Sequence, residues 1–232
     1  MSIPYFYQEG IAATGAFVLN EETSKHCIQV LRMKVGEPLH LTDGKGWLRK
    51  ASIVDADKRH CSVIISESSF IEKKGKEVSI AISLLKNASR LEWFLEKATE
   101  MGVSEIIPLI CDRTERQHFR FDRMQNILIA AMLQSQQTWL PLLHQPTDVE
   151  EVVNSSNYSQ KLIAHCEEVN KQTIADLKIS GDVQILIGPE GDFSPAEIEM
   201  ALQKGYLPTS LGNTRLRTET AGMVAAALLV NL

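Results

Sequence analysis

The chain has 232 residues, of which 44% are hydrophobic and 23% charged, and it carries a formal net charge of −5. This length supports one large domain or two ordinary ones, and with no basic cleavable N-terminal segment and no apolar run of about twenty residues, a soluble cytoplasmic protein is expected. Cys27, Cys61, Cys111 and Cys166 are widely separated and form no CxxC pair or metal-ligand spacing, so free thiols and no metal site are expected.

Residues 1–70 predict a small β-rich domain. Strands are expected at 17–19, 37–42, 47–54 and 61–65, a short helix at 23–31, and a hairpin turn at the DGKG of residues 43–46. Arg49 and Lys50 are adjacent in a predicted strand and so point to opposite faces. Residues 71–77, IEKKGKE, read as a charged linker, and 78–232 as a second domain.

The second domain opens with the strand-like VSIAISLL and continues into SRLEWFLEKATEMG. There Ser89 is expected to cap a helix, Glu92 to complete a capping box, and Gly102 to stop it. Leu91, Phe94, Leu95, Ala98 and Met101 fall on its buried side, with Trp93 outside. A strand is predicted at 106–110 and a helix at 122–135. Between them CDRTERQHFRFDR interleaves arginines with aromatics, a composition suited to phosphate pairing and base stacking or to an ordinary solvated face. Further on, 147–153 is expected as a helix, 161–165 as a strand and 170–177 as a helix. His165, beside Cys166, reads as a sheet-end histidine with its hydrogen bonds satisfied.

The last fifty residues hold two glycine-containing loops. Val183–Ile187 has the composition of a buried strand, and the GPEG that follows leads to Ser194, Pro195 and Glu197, which specify a capped helix start. Taken alone, GPEG is either an ordinary strand-to-helix turn or a ligand-approach loop, and it is neither a dinucleotide fingerprint nor a phosphate-binding P-loop. In the second loop, Gly212, Asn213 and Thr214 are turn formers, and Thr218 is expected to cap a final helix rich in small residues. That helix suits either close packing within the chain or an interface.

The segments IGPEGDFSPAE and LGNTRLRTETAGMVAAALL, with HCIQVLRMKVGEPLHLTDGKG near the N-terminus, resemble the ribosomal RNA small subunit methyltransferase E family. The resemblance implies an α/β fold: a C-terminal SPOUT-like methyltransferase domain with a deep trefoil knot, behind a small N-terminal PUA-like β-barrel domain. It implies methylation of N3 of a uridine in 16S ribosomal RNA with S-adenosyl-L-methionine, on the assembled small subunit, by a homodimer. Cofactor binding is then expected at Gly188, Glu190, Gly191, Leu211, Gly212, Leu216, Arg217, Thr218 and Thr220, with Arg217 and Glu190 as catalytic candidates. RNA contact is expected at His26, Arg32, Lys34, Lys86, Arg90, Arg113 and Arg116. The identity of a general base stays open between Glu190, Glu219 and a water acting in an arginine-lined pocket.

Charge limits how RNA is met. Residues 142–232 contain 6 basic and 12 acidic residues, so contact must come from a local face rather than a general positive field. A noncatalytic RNA-binding or ribosome-assembly protein that keeps the fold is the alternative.

Overall fold

Alternating apolar residues build the first sheet, and near-continuous apolar runs build the second. A computed structural model describes residues 3–115, 118–167 and 171–232. The chain forms two units, one of Met1–Lys74 with Met132–Leu140 and the other of Gly75–Ala131 with Pro141–Leu232.

In the first unit β1 (Tyr5–Tyr7), β2 (Gly15–Val18), β3 (Pro38–Thr42), β4 (Trp47–Asp55) and β5 (Ser62–Phe70) form a sheet in the order β1-β3-β4-β5-β2. Only the β1–β3 pair is parallel. Phe6, Leu39, Leu41, Ile53 and Val63 share its core with Leu19, Cys27 and Cys61. The three-residue β1 is too short to show a period in sequence, and its pairing with β3 defines it. The helix expected at 23–31 is divided: α1 (Glu21–Lys25) is capped by the Asn20 side chain, and His26–Val30 form a wider turn in which the Leu31 amide reaches back to the His26 carbonyl at 3.0 Å.

The DGKG turn joins β3 to β4 as expected, with the Asp43 carboxylate accepting the Lys45 amide at 2.8 Å. Residues 138–140 return to this turn, where the Gly46 amide donates to the Thr138 carbonyl and the Leu140 amide to the Gly44 carbonyl, each at 2.9 Å. A Cβ on Gly46 would lie 2.5 Å from the Trp139 ring, so this position needs glycine for the close approach as well as for its φ of 91°. The Trp139 indole donates to the Ile71 carbonyl at 2.8 Å.

The second unit contains β6 (Val78–Ser83), α2 (Ala88–Met101), β7 (Glu105–Ile110), α3 (Phe121–Gln134, whose last turn belongs to the first unit), β8 (Leu142–Leu143), β9 (Thr147–Asp148), α4 (Val149–Ser155), β10 (Gln160–Ala164), β11 (Gln172–Thr173), β12 (Val183–Ile187), α5 (Pro195–Gln203), β13 (Leu207–Ser210) and α6 (Thr218–Asn231). All its strand pairs are parallel, in the order β11-β13-β10-β12-β6-β7-β8, with β9 also on β7. Every residue of β6 and β12 is buried, as strands covered on both faces require.

Several local expectations change. Asn87, not Ser89, caps α2, its side chain accepting the Ser89 amide at 3.0 Å, which leaves Glu92 free to pair with Arg123 at 2.5 Å. The helix expected at 170–177 is instead β11 followed by a single 3-10 turn at Ile174–Asp176, because Gln172 and Thr173 pair with Thr209 and Ser210; residue 170 lies outside the described residues. Residues 147 and 148, expected to begin a helix, pair with β7 before α4 starts.

The final helix packs within the chain, against α2 and β6. A Cβ on Gly222 would meet the Phe94 ring at 2.7 Å and Ile82 at 2.9 Å, so the small residues permit a backbone approach that larger ones would block. Among the described residues no helix is long and apolar enough to cross a membrane.

Candidate active site

Because β13, β10 and β12 are parallel neighbours, their C-terminal ends release three loops at one edge of the sheet. The loops enclose a cavity of about 830 Å³, completed by Arg90 of α2 and Ala221 of α6. This volume falls within the range usual for a small-molecule site. Of the expected cofactor residues, Gly188, Glu190, Leu211, Gly212, Leu216, Arg217 and Thr218 line it, whereas Gly191 and Thr220 do not.

The loop after β12 is held from three directions. The Arg113 guanidinium donates to the Gly191 carbonyl at 2.7 Å, the Asp192 carboxylate accepts the Cys166 amide at 2.7 Å, and Thr218 Oγ1 donates to the Gly188 carbonyl at 3.0 Å. This last bond corrects the expected cap: Thr218 is the first residue of α6 and its hydroxyl is committed to the other loop. The capping box at Ser194 and Glu197 forms as predicted, and Glu197 also accepts the Asp112 amide at 2.8 Å.

Arg90 sits between two carboxylates. Its Nη1 lies 2.9 Å from Glu190 Oε1 and its Nε 3.7 Å from Glu219 Oε1. Glu219 is buried and its second oxygen has no partner among the described residues, so Arg90 is its source of positive charge. Arg215 and Arg217, by contrast, are exposed, and their side chains carry no ion pair or hydrogen bond among the described residues.

The remaining RNA candidates are dispersed. Lys86 pairs with Glu115 at 3.0 Å on the surface of the second unit, and Arg116 lies outside the described residues. In the first unit His26 packs edge-on against Phe6, while Arg32, with a φ of 56°, and Lys34 are exposed. Arg49 is buried with its guanidinium over the Trp47 ring at 4.4 Å, whereas Lys50 pairs with Glu67 at 2.8 Å on the other face, as strand alternation requires.

Sequence reasoning missed the first of the three loops. His165, Cys166 and Lys171 line the cavity, and His165 is not the satisfied histidine expected: it is buried with neither ring nitrogen hydrogen-bonded among the described residues. The Lys171 ammonium donates to the His165 carbonyl, and Asp192 spends its two oxygens on the amides of Cys166 and Phe193, so neither reaches the ring. The available signal was positional, since a strand expected at 161–165 beside Val183–Ile187 ends at the same edge.

An RNA methyltransferase domain model matches residues 72–230, and an RNA methyltransferase PUA domain model matches residues 19–66. A ribosomal RNA small subunit methyltransferase E from Synechocystis is 31% identical across 87% of this chain and 69% of its own length. The chain belongs to the ribosomal RNA small subunit methyltransferase E family.

The same family includes a Neisseria gonorrhoeae enzyme solved with S-adenosyl methionine, to which this chain is 28% identical over 97% of its length and 96% of that chain, with a TM-score of 0.88. A Legionella pneumophila protein solved with the bound cofactor SAM is 32% identical, covering 99% of this chain and 97% of that one, with a TM-score of 0.89. The family assignment accounts for both units: an N-terminal PUA-like domain and a C-terminal SPOUT-like α/β methyltransferase domain.

Proposed function

We propose that the chain transfers a methyl group from S-adenosyl-L-methionine to N3 of a uridine in 16S ribosomal RNA of the assembled small subunit. The observation that carries this is the three-loop cavity, tied shut by Thr218 and Gly188, in a chain of this family. The cavity fits the cofactor: its volume suits a nucleoside-sized ligand, and the glycine-containing loops after β12 and β13 line it. When bound, the cofactor supplies a methyl group already activated on a cationic sulfur.

The protein's own work is then orientation and charge. Loss of the N3–H proton would leave negative charge on the uracil ring, and N3 would then take the methyl group that the cofactor supplies, which neutralises it. Arg217, exposed at the cavity and unpaired among the described residues, is assigned to hold that ring. Glu190 is assigned to the proton side, its carboxylate fixed in place by Arg90. Gly188, Leu211, Gly212, Leu216 and Thr218, which line the cavity, are assigned to cofactor binding, in the threaded C-terminal chain expected of this class.

His26, Arg32, Lys34, Lys86 and Arg116 are assigned to RNA, while Arg90 and Arg113 are engaged at the cavity, on Glu190 and on the Gly191 carbonyl. Because the second unit is acidic overall, several weak contacts to a folded ribosomal site support preference for the assembled particle over free RNA. A homodimer and a cytoplasmic setting, where such particles are assembled, complete the proposal. The test incubates protein and labelled cofactor with small subunits lacking the modification, alongside free 16S RNA, and identifies the modified nucleoside by mass spectrometry. N3-methyluridine is expected, preferentially on subunits; a 2′-O-methyl nucleoside, or no transfer despite cofactor binding, overturns it.

A further inference from the structure

Three aromatic rings meet at the surface of the first unit. Trp47 opens β4, Phe70 closes β5 as its register partner, and Trp139 arrives on the segment that returns to the turn at 43–46. The Trp47 and Phe70 rings lie edge to face with centroids 5.2 Å apart, and those of Phe70 and Trp139 at 5.7 Å. Gly46 permits this convergence, because a Cβ there would meet the Phe70 ring at 2.8 Å as well as the Trp139 ring. Hydrogen bonds then hold the group in place. The Trp139 indole N–H is committed to the Ile71 carbonyl and the Ile71 amide to the Gly46 carbonyl, each at 2.8 Å, and the Arg49 guanidinium lies over Trp47.

Rings of this size normally go inside, yet Trp47 is 38% and Phe70 47% exposed. No two of the three are stacked flat on each other, so aromatic surface is left open to a ligand. The rim is basic. Lys45 sits in the turn, bridged through its backbone to Trp139, the Lys73 ammonium stands 5.6 Å from the centre of the Trp139 ring, and Lys74 beside it is exposed. Residues 71–74 hold two lysines against one glutamate, and the Asp43 carboxylate is spent on the amides of Lys45 and Trp47. An apolar protein surface laid over the rings would have to bury ammonium groups at its edge, which is costly. A single-stranded nucleotide does not: its base takes the ring surface while its phosphates meet the lysines.

We propose that Trp47, Phe70 and Trp139 form a stacking platform for an unpaired base of the RNA substrate, with Lys45, Lys73 and Lys74 on the flanking phosphates. This rests on the reading of the chain as an enzyme acting on 16S RNA, and it adds residues that the family resemblance does not name. It also explains why large rings stay at the surface of a domain whose own core is complete without them.

The test measures RNA binding by the full chain, without turnover. A labelled single-stranded oligouridylate and a strand of the same length with abasic residues, which keeps the phosphates and lacks the bases, are titrated by fluorescence anisotropy. The proteins are the wild-type chain, Trp47→Leu, Phe70→Leu and Trp47→Phe, with thermal unfolding recorded for each. The wild-type chain is expected to prefer the oligouridylate, and each leucine variant to bind it at least about fivefold more weakly and to lose that preference. Trp47→Phe, which keeps an aromatic ring, is expected within about threefold of wild type. Lys45→Gln with Lys74→Gln should keep the preference and shrink the salt slope by roughly 1.4. Two leucine variants are used so that misfolding of one leaves the comparison intact. A preference for the oligouridylate that survives in a folded leucine variant overturns the platform, and so does a change of oligomeric state in that variant, by light scattering, with RNA affinity unchanged, which would give the face to a second copy of the chain. Methyl transfer to small subunits, measured alongside, separates the two readings: transfer that persists while the platform fails leaves the enzyme assignment standing, and no transfer despite Trp47-dependent binding of the oligouridylate overturns the enzyme assignment alone.

Discussion

Thr218 Oγ1 donates a buried hydrogen bond to the Gly188 carbonyl at 3.0 Å, joining two loops that are thirty residues apart in sequence. Both residues line the cavity, so the bond sets the spacing between two of its walls. Thr218→Val keeps the shape but leaves the Gly188 carbonyl without this donor. A stability loss of about 1 kcal/mol is expected. Cofactor affinity, measured by calorimetry, should fall several-fold, and Thr218→Ser should restore it. A destabilised Thr218→Val protein with unchanged affinity would show that the bond is structural only.

The parts of the fold that were legible in sequence are those written in local chemistry. Ser194, Pro195 and Glu197 specify the start of α5 within four residues, and the buried run Val183–Ile187 can only be an interior strand. The caps were less secure, because Ser89 and Asn87 offer similar oxygens and the choice depends on which backbone angle the chain adopts on leaving β6. The two-residue strands β8, β9 and β11 are too short for any period and exist through their partners. At the cavity, the glycine loops announced themselves by composition, while His165 did not: its lack of a partner is a property of the folded surroundings.

A buried polar chain crosses the second unit, where the Tyr206 hydroxyl donates to Gln184 at 2.6 Å and Gln184 donates to Ser79 at 3.2 Å. Tyr206 and Gln184 are 1% and 2% exposed, so no water replaces a lost partner. Tyr206→Phe is therefore expected to cost about 1–3 kcal/mol in denaturant unfolding, the penalty for a stranded acceptor. Removing both polar groups with Tyr206→Phe and Gln184→Met should cost less than the sum of the single changes. Simple additivity would count against a coupled network.

Stability should also fall on mild acidification. The imidazoles of His165 and His40 both have folded-state pKa values below the ordinary one, each chiefly through burial, with Lys171 and Lys50 adding to the effect. Below the unfolded value of about 6.5, the unfolded chain binds more protons than the folded one, so the free energy of unfolding drops with pH until the lowered folded pKa is passed. His165→Gln is expected to flatten this slope between pH 7 and 5, measured by urea unfolding against wild type under identical buffers. An unchanged slope would show that His165 takes up its proton equally well in both states.

Arg113 and the pair Arg32 and Lys34 are all RNA candidates, yet the structure separates them. The Arg113 guanidinium donates to the Gly191 carbonyl at 2.7 Å and approaches the Phe193 carbonyl at 3.4 Å, so it supports the loop that borders the cavity. Arg113→Ala should therefore weaken cofactor binding as well as any RNA contact. Arg32 and Lys34 are exposed, and no ion pair ties either side chain down among the described residues. Arg32→Gln with Lys34→Gln should leave cofactor affinity unchanged and weaken 16S RNA binding across sequences. If each neutralises one phosphate, the slope of log affinity against log salt should shrink by roughly 1.4 for a single-stranded contact. A salt titration of both proteins decides the matter. The same slope in the double variant would remove Arg32 and Lys34 from the RNA face, and undiminished cofactor binding in Arg113→Ala would return that arginine to a direct role at the RNA.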